Sequence, residues 1–174
     1  MLGELITSKT RLRLLVKFFI SQANKGYLNG LASEMWESTN SIRKELNHLY
    51  AAGYLKKTKV NNKVEYNVNT THPLYETLKK VVYKHLGLED IIESVLDRMG
   101  DVDQILITGD YAKGIDSGNI EVIIVGNQIN FKYLTQLEEK IENLISRRVS
   151  FFLTARPPVQ KHILTIYNKQ KWII

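Results

Sequence analysis

Ser38 to Asn69 reads "STNSIRKELNHLYAAGYLKKTKVNNKVEYNVN", and within it the hydrophobic spacing changes from the period of a helix to that of a strand. Ile42, Leu46 and Leu49 recur on one helical face, with N-cap candidates in "ESTN" before them and Gly53 placed to stop the helix. Val64, Tyr66 and Val68 then alternate with Lys63, Glu65 and Asn67, as a half-buried strand should. A turn at Asn61 and Asn62 folds the segment into a hairpin. A two-residue loop would set Lys59 opposite Val64. A three-residue loop pairs Val60 with Val64 and Thr58 with Tyr66, and is the expected one.

The polar face of the helix offers Asn40, Ser41, Arg43, Lys44 and Asn47, side chains suited to phosphates and base edges. Lys56, Lys57, Lys59 and Lys63 decorate the hairpin beside it, suited to gripping a DNA backbone. Upstream, Leu12, Leu15, Val16, Phe19 and Ile20 predict a first helix that ends at "NKGY", and a short second helix is expected from about Asn29 to Trp36. Downstream, Leu74, Leu78, Val81, Val82 and Leu86 predict a further helix, for dimerisation or for packing between domains.

Three helices followed by a basic hairpin make a winged helix-turn-helix. The segments "SKTRLRLLVKFF", "GLASEM", "STNSIRKELNHLYAAGYL" and "TTHPLY" resemble the ArsR-type branch of bacterial regulators over roughly residues 8 to 86. That resemblance implies double-stranded DNA as partner, and a dimerisation helix after the wing.

The chain has 174 residues and is 44% hydrophobic, enough for one domain or two small ones. With no cysteine, disulfides and thiolate metal sites are excluded, and His48, His72, His85 and His162 lack metal-ligand spacing, so neither metal nor cofactor is expected. Lys17 interrupts the run "LLVKFFISQA", already too short to span a membrane, which predicts a soluble cytoplasmic protein with no membrane partner. Charge is uneven: residues 1–87 carry 14 Lys+Arg against 6 Asp+Glu, a net of +8, and residues 88–174 carry 10 against 12, a net of −2. The first half suits a polyanion.

In the second half, Leu88, Ile91, Ile92, Val95, Leu96 and Met99 mark a clean amphipathic helix. The strand "QILIT", a glycine-bounded turn, the strand "IEVIIV", a helix around Leu134 to Ile145 and the strand "VSFFLT" follow, an order that predicts a compact α/β layer structure. After Pro157 and Pro158 a helix is expected, with Trp172, Ile173 and Ile174 packing on the fold. "TGDYAKGIDSGNIEVIIVG", Thr108 to Gly126, resembles the signature of minimal nucleotidyltransferases of the polymerase-beta superfamily, G-S-x-A-x-G followed by S-D-x-D on the next strand. The equivalents are Gly109, Asp110, Ala112 and Gly114, then Gly118, Asn119 and Glu121.

The resemblance implies a magnesium site of three carboxylates. Here Asn119 offers only a neutral oxygen, Glu121 keeps a charge on a longer side chain, Ser150 stands at the third position, and Asp110 replaces a phosphate-binding serine. Four changes against one function predict a remnant without catalytic residues. Asp110, Asp116 and Glu121 could instead assemble a different cation site.

The sequence thus predicts an α+β chain: a winged-helix DNA-binding domain over residues 1–87, and an inactive nucleotidyltransferase-like domain over residues 88–174. The expected function is sequence-specific transcriptional regulation by a homodimer meeting through Leu78, Val82 and Leu86, with the second domain serving assembly or sensing a small-molecule or protein effector. The alternatives are an active nucleotidyltransferase and an antitoxin-like adaptor that binds a partner protein.

Overall fold

The computed structural model describes residues 6–159 and 161–170. Trp172, Ile173 and Ile174 lie outside the described residues. The chain divides into two compact units, Met1–His85 and Leu86–Ile174.

In the first unit, Ser8 caps α1 (Lys9–Phe19) by accepting from the Arg11 N–H at 3.1 Å. A strand the periodicity did not signal, β1 (Lys25–Tyr27), precedes α2 (Leu28–Met35). Ser38 then caps α3 (Thr39–Ala51), and Gly53, at φ +80°, turns the chain into β2 (Leu55–Val60) and β3 (Lys63–Val68). The sheet order is β1-β3-β2, all antiparallel. Leu14, Phe18, Ile20, Leu31, Ile42 and Leu46 are all but fully buried between the three helices. Lys17, the charge inside the apolar run, is itself buried and donates to Glu34 at 3.0 Å.

The wing corrects the expected loop. Lys59 pairs with Val64 and Val60 with Lys63, so the hairpin closes on two residues, Asn61 and Asn62. Both have positive φ, 45° and 61°. That is a type I′ turn, whose twist matches the strands and which asparagine tolerates better than other side chains that carry a Cβ. Turn chemistry outweighs apolar pairing here, and Val64 is left 44% exposed.

Helix α4 (Tyr75–Leu86) follows, with the Tyr83 hydroxyl donating to the Ile20 carbonyl at 3.2 Å. The second unit begins with α5 (Leu88–Arg98), then β4 (Gly100–Thr108), a single turn α6 (Gly109–Ala112), β5 (Asn119–Ile129), α7 (Leu134–Ile145) and β6 (Arg148–Thr154). The helix expected after the prolines is instead a strand, β7 (Leu164–Asn168), antiparallel to β4. Leu164 and Ile166 are its buried residues, the alternation of a half-buried strand.

The sheet order is β6-β5-β4-β7, with β5 and β6 parallel and the rest antiparallel. Ile105 and Ile107 of β4, with Val122 and Ile124 of β5, are wholly buried on the face covered by α5 and α7. The opposite face carries a smaller cluster of Leu106, Ile123 and Val125, with Ile163 packed against it. The molecule is therefore α+β: a winged helix-turn-helix followed by a small α/β layer. Among the described residues no helix is long and apolar enough to cross a membrane.

Candidate nucleic-acid interface

Helix α3 buries Ile42, Glu45, Leu46 and Leu49 and exposes Asn40, Arg43, Lys44 and Asn47. Ser41 is half-buried, its N–H donating to Ser38 Oγ at 3.1 Å and its hydroxyl 3.0 Å from the same oxygen. It therefore helps close the helix N-terminus.

Glu45 fixes the orientation of α3. Its carboxylate, 8% exposed, accepts from Arg11 Nε at 2.7 Å and from Ser8 Oγ at 2.8 Å, both belonging to the start of α1. Burial pushes the Glu45 carboxyl up, but the Arg11 and Ser8 hydrogen bonds and the charges of Arg11 and His48 outweigh it, and the net shift is downward.

The pleat sorts the wing lysines. Leu55, Lys57 and Lys59 alternate with Lys56, Thr58 and Val60, and registered partners share a face. Lys57 and Lys59 thus lie on the face of Leu55, Tyr66 and Val68, which turns its buried end to the helices. Lys56 and Lys63 lie on the other, with Glu65. All four side chains are exposed. Lys57 Nζ sits 3.9 Å from the ring centroid of Tyr50 on α3 and 5.6 Å from that of Tyr66, two cation–π contacts that hold it at the helix C-terminal end. Burial raises the Tyr66 phenol pKa, and the nearby Arg43 charge offsets part of that rise. Arg43, near Tyr66, and Lys57, against Tyr50, therefore meet where helix and wing adjoin, with Lys59 on the same wing face toward the turn, and the sequence alone did not separate Lys57 and Lys59 from Lys56 and Lys63. Glu65 on the far face is tied to Lys25 at 3.0 Å and to the Tyr27 hydroxyl at 2.9 Å, which joins β1 to the sheet.

Two features escaped the sequence reading. Trp36, in the turn between α2 and α3, is 93% exposed. Along α4, Val82 and Leu86 are only 2% and 0% exposed in the single chain, so they are not free to form the expected contact face; the exposed apolar residues are Val81, at 37%, and Leu74 just before the helix, at 46%, with Leu78 half-buried.

In the second unit, Thr108 pairs with Glu121 and Glu121 with Ser150, while Asn119 pairs with Arg148. These residues share the sheet face opposite the helices. Thr108 Oγ1 donates to Glu121 Oε2 at 3.3 Å. Gly109, at φ +64°, leaves room for that carboxylate, since a Cβ there would fall 2.8–3.1 Å from its atoms. Asp110 is turned away, 3.6 Å from Lys113.

The alternative cation site of Asp110, Asp116 and Glu121 is not assembled. Arg147 holds Asp116 in a bidentate pair, at 3.1 and 2.7 Å, and the Tyr111 hydroxyl donates to the same carboxylate. The Gly118 N–H donates to that hydroxyl at 3.2 Å, so the group pins the loop before β5. Burial, then the bond to Asp116, pushes the Tyr111 phenol far up. No cluster of three or more His, Cys, Asp or Glu able to hold a metal occurs among the described residues.

No family model and no curated protein matches the chain. Among solved structures, reduced HlyU from Vibrio cholerae N16961 is similar over 48% of this chain and 82% of its own, at 18% identity and a TM-score of 0.38. The AntR antimony-specific transcriptional repressor is similar over 53% and 77%, at 18% identity and a TM-score of 0.39.

Proposed function

We propose that the chain is a sequence-specific, duplex-DNA-binding transcriptional regulator in which α3 reads base edges and the wing grips the backbone. The carrying observation is that α3 exposes Asn40, Arg43, Lys44 and Asn47 while Lys57 and Lys59 lie on the wing face that turns toward the helices, Lys57 against Tyr50 of α3. Ser41 closes the helix start, and Lys56 and Lys63 on the far face add field rather than contacts. A residue-poor interface of this kind covers only a few base pairs. The reading therefore includes a homodimer on paired half-sites about one helical turn apart. Its contact face is Leu78 and Val81 of α4 with Leu74 just before the helix, spaced at i, i+4 and i+7.

In this reading residues 1–87 are the DNA-binding domain, and residues 88–174 are a nucleotidyltransferase-like module without catalysis that serves assembly or an effector. The register of Asn119 with Arg148 supports the loss of catalysis, because a guanidinium then shares the face on which metal ions would have to sit. Mapping the sites the protein occupies on genomic DNA, followed by fluorescence anisotropy on the recovered duplexes across salt concentrations, tests the proposal. A shared sequence motif, and an affinity that falls linearly on a log scale with salt, are expected. Binding without motif or salt dependence would refute it.

A further inference from the structure

We propose that Trp36 is a DNA contact, packing against the sugar-phosphate backbone beside the base pairs that α3 reads; the inference rests on the duplex-DNA reading above. Trp36 closes α2 in the left-handed conformation, φ 55° and ψ 41°, while the Glu37 N–H donates to the Ala32 carbonyl at 3.0 Å. This is a Schellman closure, a position where glycine is the economical residue because it has no Cβ. Tryptophan brings backbone strain there, and at 93% exposure it gives the fold no burial in return. Nothing in the unit's own stability accounts for it.

The turn is also braced. Arg13 Nη1 donates to the Met35 carbonyl at 2.9 Å and to Glu37 Oε1 at 3.3 Å, one residue to either side of Trp36. That pair fixes the backbone and partly neutralises the one acid in the turn, which would otherwise repel phosphate. Ser38, two residues on, caps α3 and begins the turn that presents Asn40. In helix-turn-helix docking the start of the second helix enters the major groove while the elements before it cross the backbone. Trp36 stands at that junction. Its indole N–H is a donor with no acceptor role, suited to a phosphate oxygen, and its ring is suited to the apolar edge of deoxyribose.

A neutral contact differs from a lysine contact in a measurable way: it displaces no condensed counterion. Trp36→Gly is the informative variant, since glycine relieves the left-handed residue and should hold or raise the thermal midpoint while weakening binding. About a tenfold loss of affinity is expected on every duplex, with the slope of log K against log salt unchanged. The wild type should show a change in tryptophan emission on saturation with duplex that Trp36→Gly lacks. Lys57→Ala serves as the control, losing affinity and flattening the salt slope. If Lys57→Ala weakens binding but Trp36→Gly binds as the wild type with the same emission change, the contact is refuted and the DNA reading stands. If the wild type binds no duplex, both fall. A destabilised Trp36→Gly would also overturn the inference, because the side chain would then serve the fold.

Discussion

Replacing Glu45 by glutamine tests how α3 is held. The carboxylate is 8% exposed and receives one bond from Arg11 and one from Ser8, at 2.7 and 2.8 Å. Hydrogen bonds to a charged group contribute about 1.5–3 kcal/mol each, and neutral ones roughly half. Glu45→Gln keeps the shape and loses the charge. Arg11 is 39% exposed, so solvent screens part of the effect, and a net cost of about 1.5 kcal/mol follows. For a unit the size of Met1–His85, each kcal/mol moves the midpoint by about 4–8 °C, giving a drop of about 6–12 °C at pH 7.

The pH dependence gives the sharper check. The folded Glu45 carboxyl titrates below its ordinary value of 4.5, so its contribution is complete above that value and disappears as the pH falls through the folded one. Thermal melts of wild type and Glu45→Gln, followed by circular dichroism from pH 3 to 7, should therefore differ by a constant gap above about pH 5.5 that closes in acid. A gap under about 2 °C at pH 7, or one that persists unchanged at pH 3, would refute the reasoning.

Lys57→Ala and Lys59→Ala should each lower the salt slope of duplex binding by about 1, whereas Lys56→Ala and Lys63→Ala on the far face should change it less; anisotropy at graded salt measures all four. Asn40→Ala and Arg43→Ala should instead change which sequences are preferred. Asn62→Gly should stabilise the wing by about 0.5 kcal/mol, because glycine adopts the type I′ turn without a Cβ, and chemical denaturation reads the gain. Leu78→Glu should convert the expected dimer to a monomer in sedimentation, while a wild type that is monomeric both alone and on DNA removes the homodimer. The wild type should bind magnesium nucleotide no more tightly than millimolar by calorimetry, and aspartate at 119, 121 and 150 with serine at 110 should recover metal binding only when Arg148 is also replaced.

The architecture was legible wherever hydrophobic period was unambiguous. Ile42, Leu46 and Leu49 define α3, and the spacing from Leu88 to Met99 defines α5, because burial of one face is what the period records. It failed at short elements. β1 has three residues, too few for any period, and β7 has five, too short for its alternation to be told from the helix expected after Pro157 and Pro158. The wing loop was misread because strand pairing and turn geometry compete, and two asparagines tolerant of positive φ decide for the turn. The exposed face of α3 could be read directly. The division of the wing lysines could not, since it depends on the register that the turn sets. Trp36 carried no signal either, as a lone tryptophan at the end of a short expected helix reads equally well as core or surface.

The second unit is best understood from charge placed in register. Asn119 lies beside Arg148, and Glu121 beside Ser150, on two parallel strands. Across those four positions one carboxylate meets one guanidinium, a net charge of zero. A pair of divalent cations brings about +4 and needs several anionic oxygens on one face to be held. Glu121 is further committed to Thr108 and to the space Gly109 leaves, and Asp116 to Arg147 and Tyr111. The carboxylates that remain near the turn therefore hold the protein to itself. A turn whose acids are engaged by internal partners keeps its backbone shape without a divalent ion, which agrees with the proposed module that serves assembly or an effector.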